Sequence, residues 1–335
     1  MSERERLLKQ FDALNVENFQ DFALALFKYQ SKYNLVYKKY IDALNINADS
    51  INDLRSIPFL PIDFFKQHKV ISQSVKFSDF GAIFESSGTG SGLSSRHYVP
   101  KLDHYLNHAQ QIFENYYGKL DEYVILALLP SYLERKGSSL VAMVDDFIKK
   151  TNSSDSGFYL YDLEELVKKV KQLKANSNGK KIIIWGVSFA LLDLAENYKV
   201  DFSDCIIMET GGMKGRRKEI TREELHQILC EGLNVSTIHS EYGMTELLSQ
   251  AYSKGKGVFN PSYSMKIMVR EVNDPFDIKY SDKRSGGLNV VDLANIDSCA
   301  FIETQDVGLV NQDGSFKVLG RFDNSDIRGC NLMVF

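Results

Sequence analysis

The chain has 335 residues, of which 44% are hydrophobic and 25% are charged, and its formal net charge is −4. This composition is typical of a soluble globular protein, and the length predicts two or three sub-domains rather than a single core. The slightly acidic balance gives no electrostatic argument for nucleic-acid binding.

Three further features predict a cytoplasmic protein without a membrane span. The longest apolar run, at about 123–130, is too short to cross a bilayer. The first residues, Met-Ser-Glu-Arg-Glu-Arg, lack the apolar centre of a signal peptide. The cysteines form neither a CxxC pair nor a disulfide framework, which favours a reducing compartment and argues against structural zinc. They are Cys205, Cys230, Cys299 and Cys330.

Residues 1–80 are predicted to form a mainly helical region that packs on the core. Hydrophobic residues recur with approximately helical spacing from Leu7 to Leu14 and again from Phe22 to Tyr29. Pro58 and Pro61 interrupt this pattern, because each removes a backbone donor and restricts the residue before it.

A run of seven small residues follows, and the rest of the chain is organised around it. Backbone N–H groups and hydroxyls in such a run can approach a polyphosphate closely. A flexible linker is the alternative interpretation, but the apolar stretch before the run and the helical pattern after it favour a phosphate loop. Neither the P-loop pattern nor the dinucleotide fingerprint fits, since no lysine follows and the glycines are spaced two and two. The residues are Ser86, Ser87, Gly88, Thr89, Gly90, Ser91 and Gly92.

Residues 81–258 are predicted to form an α/β core, because strand and helix patterns alternate there. Asp103, Asp162 and Thr221 are predicted helix caps, the last two with a glutamate three residues on. The alternation predicts a mainly parallel sheet flanked by helices, with ligands at the carboxyl ends of its strands. The predicted strands are Val124–Leu129, Ile182–Trp185, Cys205–Met208 and Val235–Ile238.

Residues 259–335 are predicted to form a small antiparallel β sub-domain with a C-terminal tail. Short strand patterns alternate with turns, and no clear helical pattern separates them. The predicted strands are Met265–Val272, Gly287–Val291, Ala300–Ile302 and Phe316–Leu319.

A second group of functional residues lies at 239–246, directly after the predicted strand at 235–238. Tyr242 is an aromatic that can stack on a base, Gly243 allows a turn, and Thr245 and Glu246 supply a hydroxyl and a carboxylate. Such groups can bind a nucleotide and its magnesium, which prefers carboxylate and phosphate oxygens. Each residue alone is more often a solvated or capping residue, and His239 is interpreted as a structural histidine.

Four motifs in order resemble the core motifs of adenylate-forming enzymes, the superfamily of acyl-CoA synthetases, peptide-synthetase adenylation domains and luciferase. The chain is most similar to the acyl-protein synthetases (LuxE-like) of the bacterial luminescence fatty-acid reductase, from about residue 57 to the end. The motifs are the run from Ser86 to Gly92, Tyr242-Gly243-Met244-Thr245-Glu246, Thr304-Gln305-Asp306-Val307-Gly308, and Gly320-Arg321 with Arg328-Gly329. The narrower resemblance also includes Pro58-Phe59-Leu60-Pro61, Phe65-Lys66, Thr210-Gly211-Gly212-Met213-Lys214-Gly215 and Arg328-Gly329-Cys330.

The resemblance implies an adenylate-forming N-terminal-domain fold and a ligase that uses ATP and Mg²⁺. A carboxylic acid, with a fatty acid as first candidate, would attack the α-phosphate of ATP. A thiol would then accept the acyl group from the acyl-adenylate. An acyl-donor or acyl-acceptor protein is the implied partner.

The resemblance also implies roles for individual residues. The run from Ser86 to Gly92 would bind the β- and γ-phosphates, Thr245 the α-phosphate and Glu246 magnesium. Tyr242, beside Gly243, would stack on adenine, and the backbone of Gly211 and Gly212 would line the adenine pocket. Asp306 would bind both ribose hydroxyls, Arg321 would assist at ribose or phosphate, and Cys330 would accept the acyl group.

The sequence departs from the family pattern in three places. The segment from Arg321 to Gly329 fits the family's hinge motif imperfectly, so that Asp323 and Asp326 are both candidates for its acidic residue. No lysine follows the glycine run at the usual position, and Arg96 is a candidate substitute. The chain stops at Phe335, so the large C-terminal lid domain with its catalytic lysine is expected to be missing.

Two alternatives to self-acylation stay open at this point. The acyl group could pass to coenzyme A, a carrier protein or a sugar amine. The chain could instead be a non-catalytic homologue, although Glu246, Asp306 and Arg321 argue against a site that has lost its function.

Overall fold

The computed structural model describes residues 1–76, 81–86, 93–130, 135, 137–176, 179–211, 217 and 220–322. Within these residues, no helix is both long enough and apolar enough to cross a membrane. The helices are α1 Glu3–Phe11, α2 Phe19–Tyr33, α3 Leu35–Ala43, α4 Phe64–Gln67, α5 Leu102–Tyr117, α6 Ser139–Lys150, α7 Leu163–Ala175, α8 Ser188–Asn197 and α9 Arg222–Leu233. The strands are β1 Leu60–Pro61, β2 Ala82–Glu85, β3 Arg96–Val99, β4 Tyr123–Leu128, β5 Gly157–Phe158, β6 Lys181–Val187, β7 Cys205–Thr210, β8 His239–Tyr242, β9 Ala251–Ser253, β10 Asn260–Pro261, β11 Met265–Arg270, β12 Ile278–Lys279, β13 Asp282–Asp292, β14 Phe301–Val310 and β15 Phe316–Arg321.

A seven-stranded sheet forms the α/β core, in the order β10-β9-β8-β7-β6-β4-β5. The strands from β5 to β8 run parallel, whereas β9 and β10 add in antiparallel orientation. Strands β4 and β6 are apolar and almost fully buried, as expected for a parallel sheet covered on both faces. The predicted α/β fold with a mainly parallel sheet is confirmed.

A second sheet contains the last strands of the chain, in the order β1-β14-β13-β11-β12, with β15 also paired to β14. All of its pairings are antiparallel except that between β1 and β14. The antiparallel strand arrangement predicted from the turn-rich sequence is therefore confirmed, with β1 added at the edge of the sheet. Strands β2 and β3 form a separate hairpin.

The N-terminal helices contact the second sheet and the loop that precedes β14. The side chain of Gln30 donates to the carbonyl oxygen of Asn295 at 2.6 Å and accepts from the N–H of Ala300 at 3.0 Å. The rings of Tyr37 and Phe301 stack with their centroids 6.3 Å apart. The three-part division of the chain stays a prediction, since these contacts do not by themselves define domains.

The structure confirms two of the predicted helix caps and corrects the third. Thr221 forms a full capping box before α9, and the side chain of Asp162 accepts from the N–H of Glu165. Asp103 is not a cap, because α5 already begins at Leu102. Asp103 instead lies in the first helical turn, where a negative charge interacts favourably with the helix dipole.

The predicted strand at Val235–Ile238 is wrong, because the parallel strand that follows α9 begins only at His239. The predicted strand bounds put the polar residues His239, Ser240 and Glu241 directly after the strand. They are strand residues whose polar side chains find partners within the fold, for example the hydroxyl of Thr210 beside Glu241.

Candidate active site

The candidate site begins where β8 ends, at the carboxyl edge of the parallel strands. Gly243 follows Tyr242 directly, and its α carbon faces the carboxylate of Glu241. A Cβ atom at position 243 would lie 2.4 Å from Oε1 of Glu241, so any larger residue here would have to displace that buried carboxylate. The chain then passes through Thr245 to Glu246, which places all these residues at one edge of the sheet.

Tyr242, Asp306 and Arg321 form a hydrogen-bonded group that joins the two sheets. The Tyr242 hydroxyl donates to Oδ2 of Asp306 at 2.8 Å, and Nε of Arg321 donates to Oδ1 at 2.9 Å. Asp306 and Arg321 are direct partners in the pairing of β14 with β15. Burial and the nearby Asp306 charge raise the pKa of Tyr242 well above its usual value, so its hydroxyl stays protonated.

The ring of Tyr242 packs against two other aromatic rings. Its centroid lies 5.1 Å from that of Phe316 and 5.8 Å from that of Phe259. These contacts fix the ring in place as well as the hydroxyl. Stacking of Tyr242 on adenine stays a prediction.

Glu246 is buried, with only 5% of its surface exposed. Burial raises the pKa of its carboxyl group, and the neighbouring Ser95 hydroxyl and the charges of Arg321 and Lys66 oppose that rise. The side-chain amide of Asn295 donates to the Glu246 carbonyl oxygen at 2.8 Å. Glu246 is thus a carboxylate that a cation would stabilise in its ionised form.

Ser86, the first residue of the glycine run, is hydrogen-bonded to Ser95, the neighbour of Glu246. The N–H of Ser95 donates to the Ser86 hydroxyl at 2.9 Å, and the N–H of Ser86 donates to the Ser95 carbonyl oxygen at 3.1 Å. Of the predicted phosphate loop, Ser86 is described. Its other members, Ser87, Gly88, Thr89, Gly90, Ser91 and Gly92, lie outside the described residues.

His97 positions the backbone of Thr245 and was not identified from the sequence. Its Nδ1 lies 2.9 Å from the Thr245 carbonyl oxygen, which can only accept, so Nδ1 carries the proton. Burial lowers the pKa of His97 to about 4, so the ring is neutral at physiological pH. In the sequence, only its position shortly after the glycine run could have indicated that His97 lies near the site.

Gly211 ends β7 with a left-handed backbone, at φ +76°. Its carbonyl oxygen accepts from the Ser188 hydroxyl at 3.1 Å, and the same hydroxyl donates to buried Glu209 at 2.6 Å. Arg222 donates to the other oxygen of Glu209 at 2.9 Å. This network fixes the backbone of Gly211, whereas Gly212 lies outside the described residues.

Glu241 is a second buried carboxyl group that the sequence did not single out. The hydroxyl of Thr210 donates to its Oε2 at 2.5 Å. Burial nevertheless raises the pKa of Glu241 to about 7. The site therefore contains a carboxyl group that titrates near neutrality.

The family of this chain follows from a sequence match over almost its whole length, and not from the site residues alone. The sequence model described as "Acyl-protein synthetase, LuxE" matches residues 12–335. This chain belongs to the LuxE acyl-protein synthetase family. None of the curated proteins matches its sequence.

Solved structures show the same fold. The LuxE-family chain is similar to ATP-bound MatB from Rhodopseudomonas palustris, with 16% identity, a TM-score of 0.53, and coverage of 75% of this chain and 50% of MatB. It is also similar to O-succinylbenzoate coenzyme A synthetase (MenE) from Bacillus subtilis, in complex with AMP. The identity is 17%, the TM-score is 0.50, and the match covers 75% of this chain and 51% of MenE. For the amide bond synthetase McbA from Marinactinospora thermotolerans, the identity is 13% and the TM-score is 0.50. That match covers 73% of this chain and 49% of McbA. The chain spans about half the length of these structures, and at such identities the likeness shows the fold alone.

Arg96 and the cysteines of this LuxE-family chain have distinct surroundings. Nε of Arg96 donates to Oε1 of Glu85 at 3.1 Å, directly across the β2–β3 hairpin.

Burial raises the pKa of Cys205 and of Cys299 to about 12 and also raises that of Cys230. Cys330 lies outside the described residues.

Proposed function

We propose that this chain is an ATP-dependent ligase that activates a carboxylic acid as an acyl-adenylate and transfers the acyl group to a thiol. A fatty acid is the proposed substrate and the cytoplasm the proposed compartment. The main support is the Tyr242–Asp306–Arg321 group next to buried Glu246, at the carboxyl edge of a parallel sheet.

Asp306 is the proposed ribose-binding residue. Each of its oxygens accepts one hydrogen bond within the protein. A carboxylate offers about four acceptor positions, so two remain for the two ribose hydroxyls. Arg321 would lie beside ribose or phosphate, Tyr242 beside adenine, and Gly211, Gly212 and Gly243 would let the nucleotide approach the backbone closely.

The α-phosphate would bind at Thr245, and the other phosphates at the run from Ser86 to Gly92. Magnesium commonly uses only one or two protein carboxylates together with phosphate oxygens. Buried Glu246, whose pKa is raised by burial, fits that requirement. Magnesium bound there would neutralise negative charge on the phosphates, and the protein residues would keep them in line for attack.

Cys330 is the proposed acyl acceptor. A thiol reacts as its thiolate, so cysteines with raised pKa values are poor nucleophiles. Cys205, Cys230 and Cys299 all have raised pKa values because they are buried or partly buried. Cys330 follows Arg328 and Gly329, and a nearby cation would lower the pKa of its thiol.

Coenzyme A, a carrier protein or a sugar amine is the second candidate acceptor. The supporting observation is that the similar structures include a coenzyme A synthetase and an amide bond synthetase. With either acceptor, the first half-reaction is the formation of the acyl-adenylate from the acid and ATP.

Carboxylate-dependent exchange of pyrophosphate into ATP, measured across a panel of acids, tests the proposal. We expect exchange with fatty acids and none without an added acid. The absence of exchange with every acid, despite bound ATP, would instead support a non-catalytic nucleotide-binding protein.

A further inference from the structure

Helix α4 brings a lysine to the candidate site from a distant part of the chain. Strand β1 pairs with β14 in the register Leu60 to Ile302 and Pro61 to Glu303. The N–H of Ile62 continues this pairing by donating to the Glu303 carbonyl oxygen at 2.9 Å. Helix α4 starts immediately afterwards, so Lys66 lies beside the segment of β14 that contains Asp306.

Two contacts fix the position of α4. Nζ of Lys66 lies 2.7 Å from Oδ1 of Asp63, and the side-chain amide of Gln305 donates to Oδ2 of the same carboxylate at 2.7 Å. On the other side, the ring of Phe65 meets the ring of His97 edge to face, with centroids 5.9 Å apart. The helix is therefore anchored to the neighbour of Asp306 and to the histidine that hydrogen-bonds Thr245.

We propose that Lys66 supplies the cation that stabilises the α-phosphate during adenylate formation. This proposal rests on the function proposed above. The α-phosphate links ribose, assigned to Asp306, to the phosphates and magnesium, assigned to Glu246. Helix α4 contacts Gln305, the neighbour of Asp306, and His97, which hydrogen-bonds Thr245, so a cation on this helix would lie near the reacting phosphorus.

The chemistry requires a positive charge at this place. A carboxylate oxygen of the acid forms a bond to the α-phosphorus, and the bond from that phosphorus to the bridging oxygen of the β-phosphate breaks. The bonding electrons leave with pyrophosphate, and no proton is transferred. Negative charge is spread over the equatorial oxygens of the α-phosphate as the bonds change, and a fixed ammonium group stabilises it.

Arg96 is the competing candidate for this charge. Its side chain is 60% exposed and pairs with Glu85 on the neighbouring strand. Lys66 is 29% exposed, so its interaction with a phosphate is less screened by solvent. Its ammonium has three donors and forms an ion pair with the carboxylate of Asp63.

The test compares three variants of the full-length chain. Lys66→Met removes the charge and keeps most of the apolar stem, and Arg96→Met removes the competing charge. Lys38→Met is the matched control, because Lys38 also pairs with an aspartate on its own helix, at 2.9 Å from Asp42. Thermal unfolding checks that all three variants fold, since exposed ion pairs contribute little to stability.

We expect Lys66→Met to lower the kcat of pyrophosphate exchange about 100-fold or more, with a smaller change in KM for ATP. AMP should bind about tenfold more weakly, and adenosine, which has no phosphate, should bind as before. Lys66→Arg should restore part of the activity. Arg96→Met and Lys38→Met should stay close to the parent protein.

Equal losses in Lys66→Met and Lys38→Met, or a loss in Arg96→Met alone, would overturn the assignment. If the parent protein shows no exchange with any acid, the proposed function fails, and AMP binding decides the role of Lys66 separately. Weaker AMP binding in Lys66→Met then supports a phosphate-binding lysine. Unchanged AMP binding, or no AMP binding by the parent protein, rejects it.

Discussion

The hydroxyl of Tyr242 donates a 2.8 Å hydrogen bond to Oδ2 of Asp306, and this contact joins a strand of the parallel sheet to a strand of the antiparallel sheet. Both side chains are buried. Hydrogen bonds to an ionised acceptor are stronger than those between neutral groups. The two halves of the candidate site are thus held in a fixed relation before any ligand binds.

Asp306 should determine nucleotide affinity. Each ribose hydroxyl bound to its carboxylate contributes about 1.5–3 kcal/mol. Asp306→Ala should therefore weaken ATP binding by well over tenfold, as measured by calorimetry. Asp313→Ala is the control, because Asp313 lies in the turn between β14 and β15 and accepts hydrogen bonds from Ser315. Equal binding of ATP and its deoxyribose analogues by the parent protein would contradict the ribose role.

Glu246 should be required for chemistry more than for folding. Glu246→Gln keeps the shape of the side chain and removes the charge that would bind magnesium. Acid-dependent pyrophosphate exchange should fall by orders of magnitude, while the melting temperature changes little. Glu303→Gln, on β14, removes a partly buried carboxyl group whose pKa burial also raises, and it should leave exchange intact. Unchanged exchange in Glu246→Gln would refute the metal assignment.

Glu241 should make stability depend on pH. Its pKa is raised from 4.5 to about 7 in the folded state, so between these values the folded chain binds a proton that the unfolded chain lacks. Stability is therefore lost as the pH rises through this window, by up to about 3 kcal/mol. Glu241→Gln should remove this loss. Urea unfolding at pH 5 and pH 8 measures it, and the same pH dependence in both proteins would disprove the assignment.

Cys330 should form a thioester with the activated acid. Labelled fatty acid with ATP and magnesium should give an acyl-protein that hydroxylamine cleaves. Cys330→Ser should abolish this label and leave pyrophosphate exchange largely intact, because adenylation precedes the thiol step. Cys230→Ser, which removes the half-buried thiol on α9, is the control.

Two results would change that assignment. Label that persists in Cys330→Ser would place the acceptor at another residue, with Cys205, Cys230 and Cys299 to test next. Adenylate formation without any labelled protein would indicate an external thiol or amine.

The sequence predicted the strands whose side chains are apolar and missed the one that is polar. Strands β4, β6 and β7 were recognisable because they are buried on both faces. Strand β8 was placed four residues too early, because His239, Ser240 and Glu241 are polar. Their burial depends on hydrogen-bond partners from other parts of the chain, such as Thr210. The hydrophobic pattern of a short segment does not predict such partners.

The same limit applies to the candidate site. Tyr242, Glu246, Asp306 and Arg321 were identified through short motifs, and the structure brings them together. His97 and Lys66 were not assigned roles, because their positions follow from the pairing of β3 with β2 and of β1 with β14. Non-local pairings of this kind cannot be inferred from spacing along one sequence.

The pairing of β1 with β14 also sets the order in which the protein can be completed during synthesis. Leu60 leaves the ribosome long before its partner Ile302, so β1 can pair with β14 only after most of the chain has been synthesised. Contacts between distant residues form slowly, because the entropy of closing a long loop must be overcome first. Lys66 therefore reaches its final place among the last steps of folding. A nascent chain that ends before β14 would lack Asp306 and the strand that pairs with β1.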